Sequence, residues 1–267
     1  MDIQKYMKNE NEKPLDNIVQ NGGFCGIFRK ISCIGDSLSS GELESCIGGE
    51  RGFHDYYEYS WGQYMARDIG CTVYNFSKGG MTALRYDEFA TDRGFYDEKY
   101  RSQAYILALG VNDVSKIMNG DWTLGTIGDI DPVDHTKNAN TFAGCYAKII
   151  QKYKEIEPKA KFFLMTMPRD GRTPEREALN DQHAALLYQI AEMFENCYVL
   201  DFRKYAPVYD EEFRRNFYLA GHMSAAGYRL TALMVESYLD YLIRQNPDDF
   251  RQIGFVGTPY YNETEKW

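Results

Sequence analysis

Short apolar runs alternate with long amphipathic segments along almost the whole chain, and this alternation limits the fold more than any other feature. Phe28–Ile34, Cys71–Phe76, Ala104–Leu109, Lys161–Met167 and Cys197–Phe202 read as buried strands. Helical patterns lie between them. Trp61, Tyr64, Met65 and Ile69 share one helix face, closed by Gly70 as a C-cap. Phe142, Cys145, Tyr146, Ile149, Ile150 and Tyr153 repeat at i, i+3, i+4 spacing, and residues 176–194 and 225–243 form two more helices. Strands that alternate with helices imply a parallel sheet covered on both faces, so the expected class is α/β: a three-layer α/β/α sandwich around a five-stranded parallel sheet. No repeat or linker composition interrupts the pattern. Residues 26–267 are therefore expected to form a single domain, preceded by a polar extension, residues 1–25, that drapes over the surface.

Composition removes several classes of function. With 44% hydrophobic residues in 267, the chain has enough apolar material for a sizeable core. Its charge balance of 30 − 39 = −9 lacks the footprint of a nucleic-acid or anionic-membrane binder. No apolar run approaches the ~18 residues of a membrane span. The start, MDIQKYMKNENEKPLDN, has no apolar leader. Six cysteines (25, 33, 46, 71, 145 and 197) are too sparse for a disulfide framework, and none forms the CxxC pair of a structural zinc site. The expectation is a cytoplasmic enzyme with no nucleic-acid partner and no membrane span.

Four short motifs carry the chemistry. Ile31–Leu38 reads ISCIGDSL, an apolar strand running into Gly35-Asp36-Ser37, which exposes Ser37 at the carboxyl edge of the sheet beside free backbone N–H groups. The second strand ends in NFSKGGMT, where Gly79-Gly80 lets the backbone approach a ligand closely. The third ends in Gly110-Val111-Asn112-Asp113, with an amide donor at Asn112. Near the C-terminus, Leu219-Ala220-Gly221-His222 puts a histidine in a loop just ahead of the last helix, for which Ser224 is the N-cap. Taken singly, each has a local reading: Ser37 as a helix cap, the glycines and Asn112 as turn formers, His222 as incidental. Their order matters more. Three of them end three successive strands, on the edge where open α/β sheets bind ligands.

On these residues the chain resembles the SGNH (GDSL) hydrolase superfamily over about residues 28–243, through Gly35-Asp36-Ser37-Leu38, Asn75…Gly80, Gly110-Val111-Asn112-Asp113 and the His222 segment. The resemblance implies a flavodoxin-like sandwich, the SGNH hydrolase fold. It also implies a carboxylic ester hydrolase with Ser37 as nucleophile and His222 as general base. The oxyanion hole would be formed by Ser37, Gly80 and Asn112. Neither a cofactor nor a metal is called for. One position departs: where the family has an aspartate three residues before the histidine, this chain has Leu219. A backbone carbonyl is then the favoured acceptor for the imidazole. Asp210, Glu211 and Glu212 are the acids weighed against it.

The expected substrate is a small-molecule or carbohydrate ester, cleaved by a short-acyl (acetyl) esterase. The alternatives are a lysophospholipase or thioesterase, or a binding protein of the same fold with weakened catalysis, which Leu219 makes thinkable. The aromatic segment HDYYEYSW, residues 54–61, could stack on sugar rings, though aromatics more often pack. Other candidates have bland readings. Asp129, Asp131, Asp134 and His135 lie in the long irregular stretch 119–137, which is expected to shape a ligand site. As a calcium loop they lack the required glycine and final glutamate, and a solvated loop is expected. His183 is expected at the surface or core edge. Cys33 is expected to be a buried apolar residue.

Overall fold

The computed structural model describes residues 2–262. The first half of the chain runs β1 (Lys30–Gly35), α1 (Ser37–Ser40), β2 (Glu42–Ile47), β3 (Glu50–Asp55), α2 (Trp61–Ile69), β4 (Thr72–Asn75), α3 (Ala83–Asp92), β5 (Ala104–Ala108) and α4 (Val111–Met118). The second half runs α5 (Phe142–Ile156), β6 (Lys161–Met165), α6 (Pro174–Met193), β7 (Cys197–Leu200), α7 (Phe202–Tyr205), α8 (Glu211–Phe217), β8 (Tyr218–Leu219), β9 (His222–Met223), α9 (Ala225–Gln245) and α10 (Pro247–Phe250).

Five strands pair in parallel in the order β4-β1-β5-β6-β7. Successive strand residues face opposite layers, as a pleated sheet requires. Ile31, Cys33 and Ile106 join a core with Trp61, Met65 and Leu239 from α2 and α9. Ile34, Tyr105 and Leu107 join a second core with Tyr86, Ile150 and Leu187 from α3, α5 and α6. Because both faces are covered, strands such as Tyr105–Leu107 are apolar throughout rather than alternating. The three-layer α/β/α sandwich expected from the sequence is the architecture found. Numbered within the sheet alone, the strand order is 2-1-3-4-5, so the chain reverses direction across the sheet between β1 and β5. Open α/β sheets bind ligands at this switch point, beyond the carboxyl strand ends.

The polar N-terminal stretch lies along α9 and is anchored to it. The buried Arg244 pairs with Glu12 and Asp240, the Val19 and Phe24 amides donate to Ser237 and Asp240, and Cys25 is buried in the core. Two antiparallel pairs stand outside the sheet. The hairpin β2–β3 turns at Gly48-Gly49, and β8 pairs with β9 through Leu219 and His222. His222 thus sits on a short strand rather than in the loop expected from its sequence neighbours.

Candidate active site

β1 delivers Ser37 to the switch point. Gly35 has to be a glycine, because a Cβ there would meet Ser39 Oγ at 2.3 Å and the Ala108 carbonyl at 3.1 Å. Asp36 then caps α1, its carboxylate accepting the Leu38 amide at 2.9 Å. Ser37 opens the helix and lines a cavity of about 280 Å³ that Asn112 and His222 also line. Gly80 is not part of that cavity wall. Among the described residues, no hydrogen bond uses the Ser37 or Gly80 backbone N–H, so both donors are free. The Asn112 amide donates to the Met81 carbonyl at 3.1 Å, which orients it and leaves its second N–H available.

Asp113, the next residue, ties α4 to α3 by accepting the Ala83 amide at 2.9 Å. Burial pushes both Asp36 and Asp113 up to about 7, and each keeps one carboxylate oxygen without a partner. A carboxyl that holds its proton longer when folded than when unfolded makes stability fall as pH rises between the two pKa values, here from about 4 to about 7. Asp113→Asn, which can still accept the Ala83 amide, should therefore flatten the loss of Tm between pH 5 and 8. Melting curves across that range test this, and an unchanged slope would remove Asp113 from the account.

The imidazole of His222 is held by a carboxylate, which corrects the expectation of a carbonyl. Its Nδ1 lies 2.5 Å from Oε1 of Glu44, and the same oxygen accepts the Gly221 amide at 2.9 Å. Glu44 is buried on β2, and Arg51 from β3 pairs with its other oxygen. Burial works against its charge, but the bonds from His222 and Arg51 outweigh burial and hold its carboxyl below the usual range. Phe53, opposite Glu44 in the hairpin, sets its ring edge-on to the imidazole, with centroids 5.8 Å apart. The acids weighed from sequence do not take part: Asp210, Glu211 and Glu212 are exposed, and Asp210 caps α8 through the Phe213 amide.

The hairpin supplies a second carboxylate. Oε1 of Glu42 lies 3.0 Å from His222 Nε2, the nitrogen a serine nucleophile would need. Glu42 also packs on Gly79, where a Cβ would fall 2.4 Å from Oε2. Burial raises its carboxyl above the usual value, His222 opposes that, and the nearby Asp55 and Glu44 add to it. Among the described residues, no hydrogen bond joins Ser37 to His222.

The family model of the GDSL-like lipase/acylhydrolase family matches residues 33–230, a span that holds all of these residues. The chain belongs to that family. As a GDSL-like acylhydrolase it is a carboxylic ester hydrolase. Among curated proteins, no match is found. Solved structures resemble its fold at low identity. A family two carbohydrate esterase from Clostridium thermocellum, in complex with cellohexaose, is 18% identical with a TM-score of 0.56; the match covers 89% of this chain and 66% of that one. A carbohydrate esterase family 2 enzyme with its carbohydrate-binding domain, from Corynascus thermopiles (Myceliophthora fergusii), is 16% identical with a TM-score of 0.55, covering 80% and 66%. An acetyl xylan esterase is 19% identical with a TM-score of 0.52, covering 78% and 98%.

Other sequence candidates of this acylhydrolase lie elsewhere. The stretch 119–137 contributes nothing to the cavity wall, contrary to expectation. Its acids serve their own loop: Asp131 accepts the Val133 and Asp134 amides, Asp134 the Thr136 amide, and Asp129 the Thr126 amide. Among the described residues, no group of three or more His, Cys, Asp or Glu side chains is arranged to hold a metal ion. No helix of the described residues is long and apolar enough to cross a membrane. His183 is not at the surface or core edge but fully buried against Phe142, and burial lowers its pKa to about 4. Cys33 is buried, and burial raises its thiol well above the usual value. In the segment 54–61, Trp61 is core and bonds Ser39, whereas Tyr56 and Tyr59 are exposed with ring centroids 5.5 Å apart.

Proposed function

We propose that the protein is a short-acyl esterase acting on carbohydrate esters through Ser37, His222 and Glu44. The observation that carries this reading is the buried Glu44 carboxylate 2.5 Å from His222 Nδ1, in a site whose cavity Ser37 and Asn112 also line. Glu44 keeps the proton on Nδ1, which leaves the Nε2 lone pair to act as base. Nε2 takes the proton of Ser37 as Oγ attacks the ester carbonyl carbon, and then gives it to the departing alcohol oxygen. Water repeats the cycle on the acyl-serine and releases the acid. The oxyanion meets three donors: the Ser37 and Gly80 N–H groups and the free amide N–H of Asn112.

In this mechanism Glu42 has to give up Nε2 before Ser37 can use it. The Glu42 carboxylate contacts Nε2 and packs on Gly79, the residue before the Gly80 donor, so it has to move off Nε2 for the ester to react. The carbohydrate reading draws on the fold shared with two carbohydrate esterases, one in complex with cellohexaose, and with an acetyl xylan esterase. Exposed Tyr56 and Tyr59 offer the apolar faces that sugar rings stack on.

Asn112→Ala should lower kcat by about 10²–10³ with little change in KM, because its donor acts on charge that exists only in the transition state. A pure KM effect would make Asn112 a substrate-positioning residue. The reading as a whole is tested with 4-nitrophenyl esters from acetyl to palmitoyl, followed by acetylated sugars. Acetyl preference supports it, long-chain preference would replace it with a lipolytic enzyme, and no turnover with a binding protein.

A further inference from the structure

We propose that the part of the cavity lined by Arg172, Arg176 and Arg214 is an anion subsite, selecting esters of carboxylated sugars such as uronic acids. The proposal rests on the esterase reading for its chemistry, but the subsite stands on its own geometry. Arg172, Arg176 and Arg214 line the cavity around a single carboxylate, Asp170. Arg172 Nε lies 3.1 Å from Asp170 Oδ2, whereas Arg176 Nε and Arg214 Nη2 reach the same oxygen only at 3.9 Å, beyond hydrogen-bond range. Three cations thus lie within 3.9 Å of one carboxylate oxygen, and Glu177, whose charge also reaches Arg176, is committed to Arg203 and to the Asp170 and Gly171 amides.

Arg176 is the deepest of the three, at 7% exposure. Its Nη1 donates to Ser115 Oγ at 3.2 Å and its Nη2 to the Val111 carbonyl at 3.4 Å, which lock the guanidinium in place. Its Nε has no hydrogen-bond partner. Burial lowers its pKa and the charges of Arg172 and Arg214 add to the effect, while Asp170 and Glu177 oppose it; a bound anion would oppose it further. In the same wall Asn180, 2% exposed, keeps its Oδ1 without a donor. Buried polar groups are normally satisfied, so one orphan donor and one orphan acceptor in one cavity wall suit a ligand that brings both an acceptor and a donor. A carboxylate answers the arginines and a hydroxyl answers Asn180. A uronic acid carries both, whereas a simple fatty acyl chain carries neither.

The same charge could arrive on the acyl side, as a dicarboxylic half-ester, and the test separates the two. Acetate release from acetylated glucuronic acid is compared with release from acetylated glucose, and 4-nitrophenyl hydrolysis of the glutarate half-ester with that of the valerate. The sugar acid should be preferred in kcat/KM by about tenfold or more, the worth of one hydrogen bond to a charged group. The glutarate should gain less, because it brings no hydroxyl to Asn180. Raising ionic strength should shrink the preference, and Arg172→Gln with Arg214→Gln should bring the ratio close to one. Both residues are more exposed than Arg176, so the fold should tolerate their loss. Calorimetric titration of the whole chain with glucuronate and with glucose reads the subsite without turnover. If no ester is cleaved but glucuronate binds more tightly, the esterase reading fails and the subsite stands. A preference for glutarate over the sugar acid would move the anion to the acyl side and overturn the uronic-acid assignment. Equal kcat/KM for charged and neutral partners, with glucuronate binding no tighter than glucose, would overturn the subsite itself.

Discussion

Replacing Ser37 with alanine should reduce kcat by about 10⁶, to the residual level that binding and oxyanion donors alone sustain in serine hydrolases. The size of the loss follows from the chemistry: without Oγ there is no acyl intermediate, and water would have to attack unassisted by the covalent route. The fold should not notice. Ser37 is buried at the start of α1, and the structural bonds made there run through its carbonyl, which accepts from Ser40 and Tyr228, rather than its side chain. Alanine is also a good helix former. The Tm should therefore stay within about 2 °C, and a phosphonate inhibitor that labels the parent stoichiometrically should leave the variant unlabelled. Label on a different serine, with activity retained in the variant, would remove Ser37 from the mechanism.

Glu44→Ala should cost about 10³–10⁴ in kcat, comparable to removing the aspartate function from a chymotrypsin-type triad. The loss has two parts. Without the carboxylate the imidazole is free to carry its proton on Nε2, the wrong tautomer for a base, and the imidazolium that forms during attack loses its counter-charge. Glu44→Gln should lose less. Its amide oxygen can still accept from the Gly221 amide and His222 Nδ1, although its NH₂ then meets the Arg51 guanidinium. The ordering alanine below glutamine below parent, read from kcat at saturating substrate, distinguishes an orienting carboxylate from a bystander. Amide substitutions at Asp210, Glu211 and Glu212 should each change kcat by less than tenfold, since none approaches the imidazole. A loss under tenfold in Glu44→Ala would return the site to a serine–histidine pair.

Much of this protein is written locally and can be read from the chain. Apolar runs such as Tyr105–Leu107 and the i, i+3, i+4 stripe from Phe142 to Tyr153 specify strand and helix because burial on two faces or on one leaves a different period. The Gly35-Asp36-Ser37 turn is likewise local: its strand exit, cap and serine are consecutive residues. Strand ends differ by one or two residues, as at Met165 against the expected Met167, because the Thr166 amide still bonds the Leu200 carbonyl but the ladder goes no further.

The hairpin β2–β3 has a local signal in the Gly48-Gly49 pair, a dipeptide suited to a tight turn between two short strands. What that signal does not carry is the role of the hairpin. Residues Glu42 and Glu44 look like solvated charges in sequence, and period-two alternation puts them on one face without saying what that face meets. Glu44 and His222 are 178 positions apart, and Leu219 occupies the place from which the motif would lead one to expect the carboxylate. The three arginines around Asp170 are scattered in the same way between α6, the loop before it and α8. Local sequence thus determines the period of each element and the turn that exposes the serine, because those depend on neighbours along the chain. Which carboxylate holds the histidine, which one covers its reactive nitrogen and where positive charge collects depend on contacts across the fold, and only tertiary packing decides them.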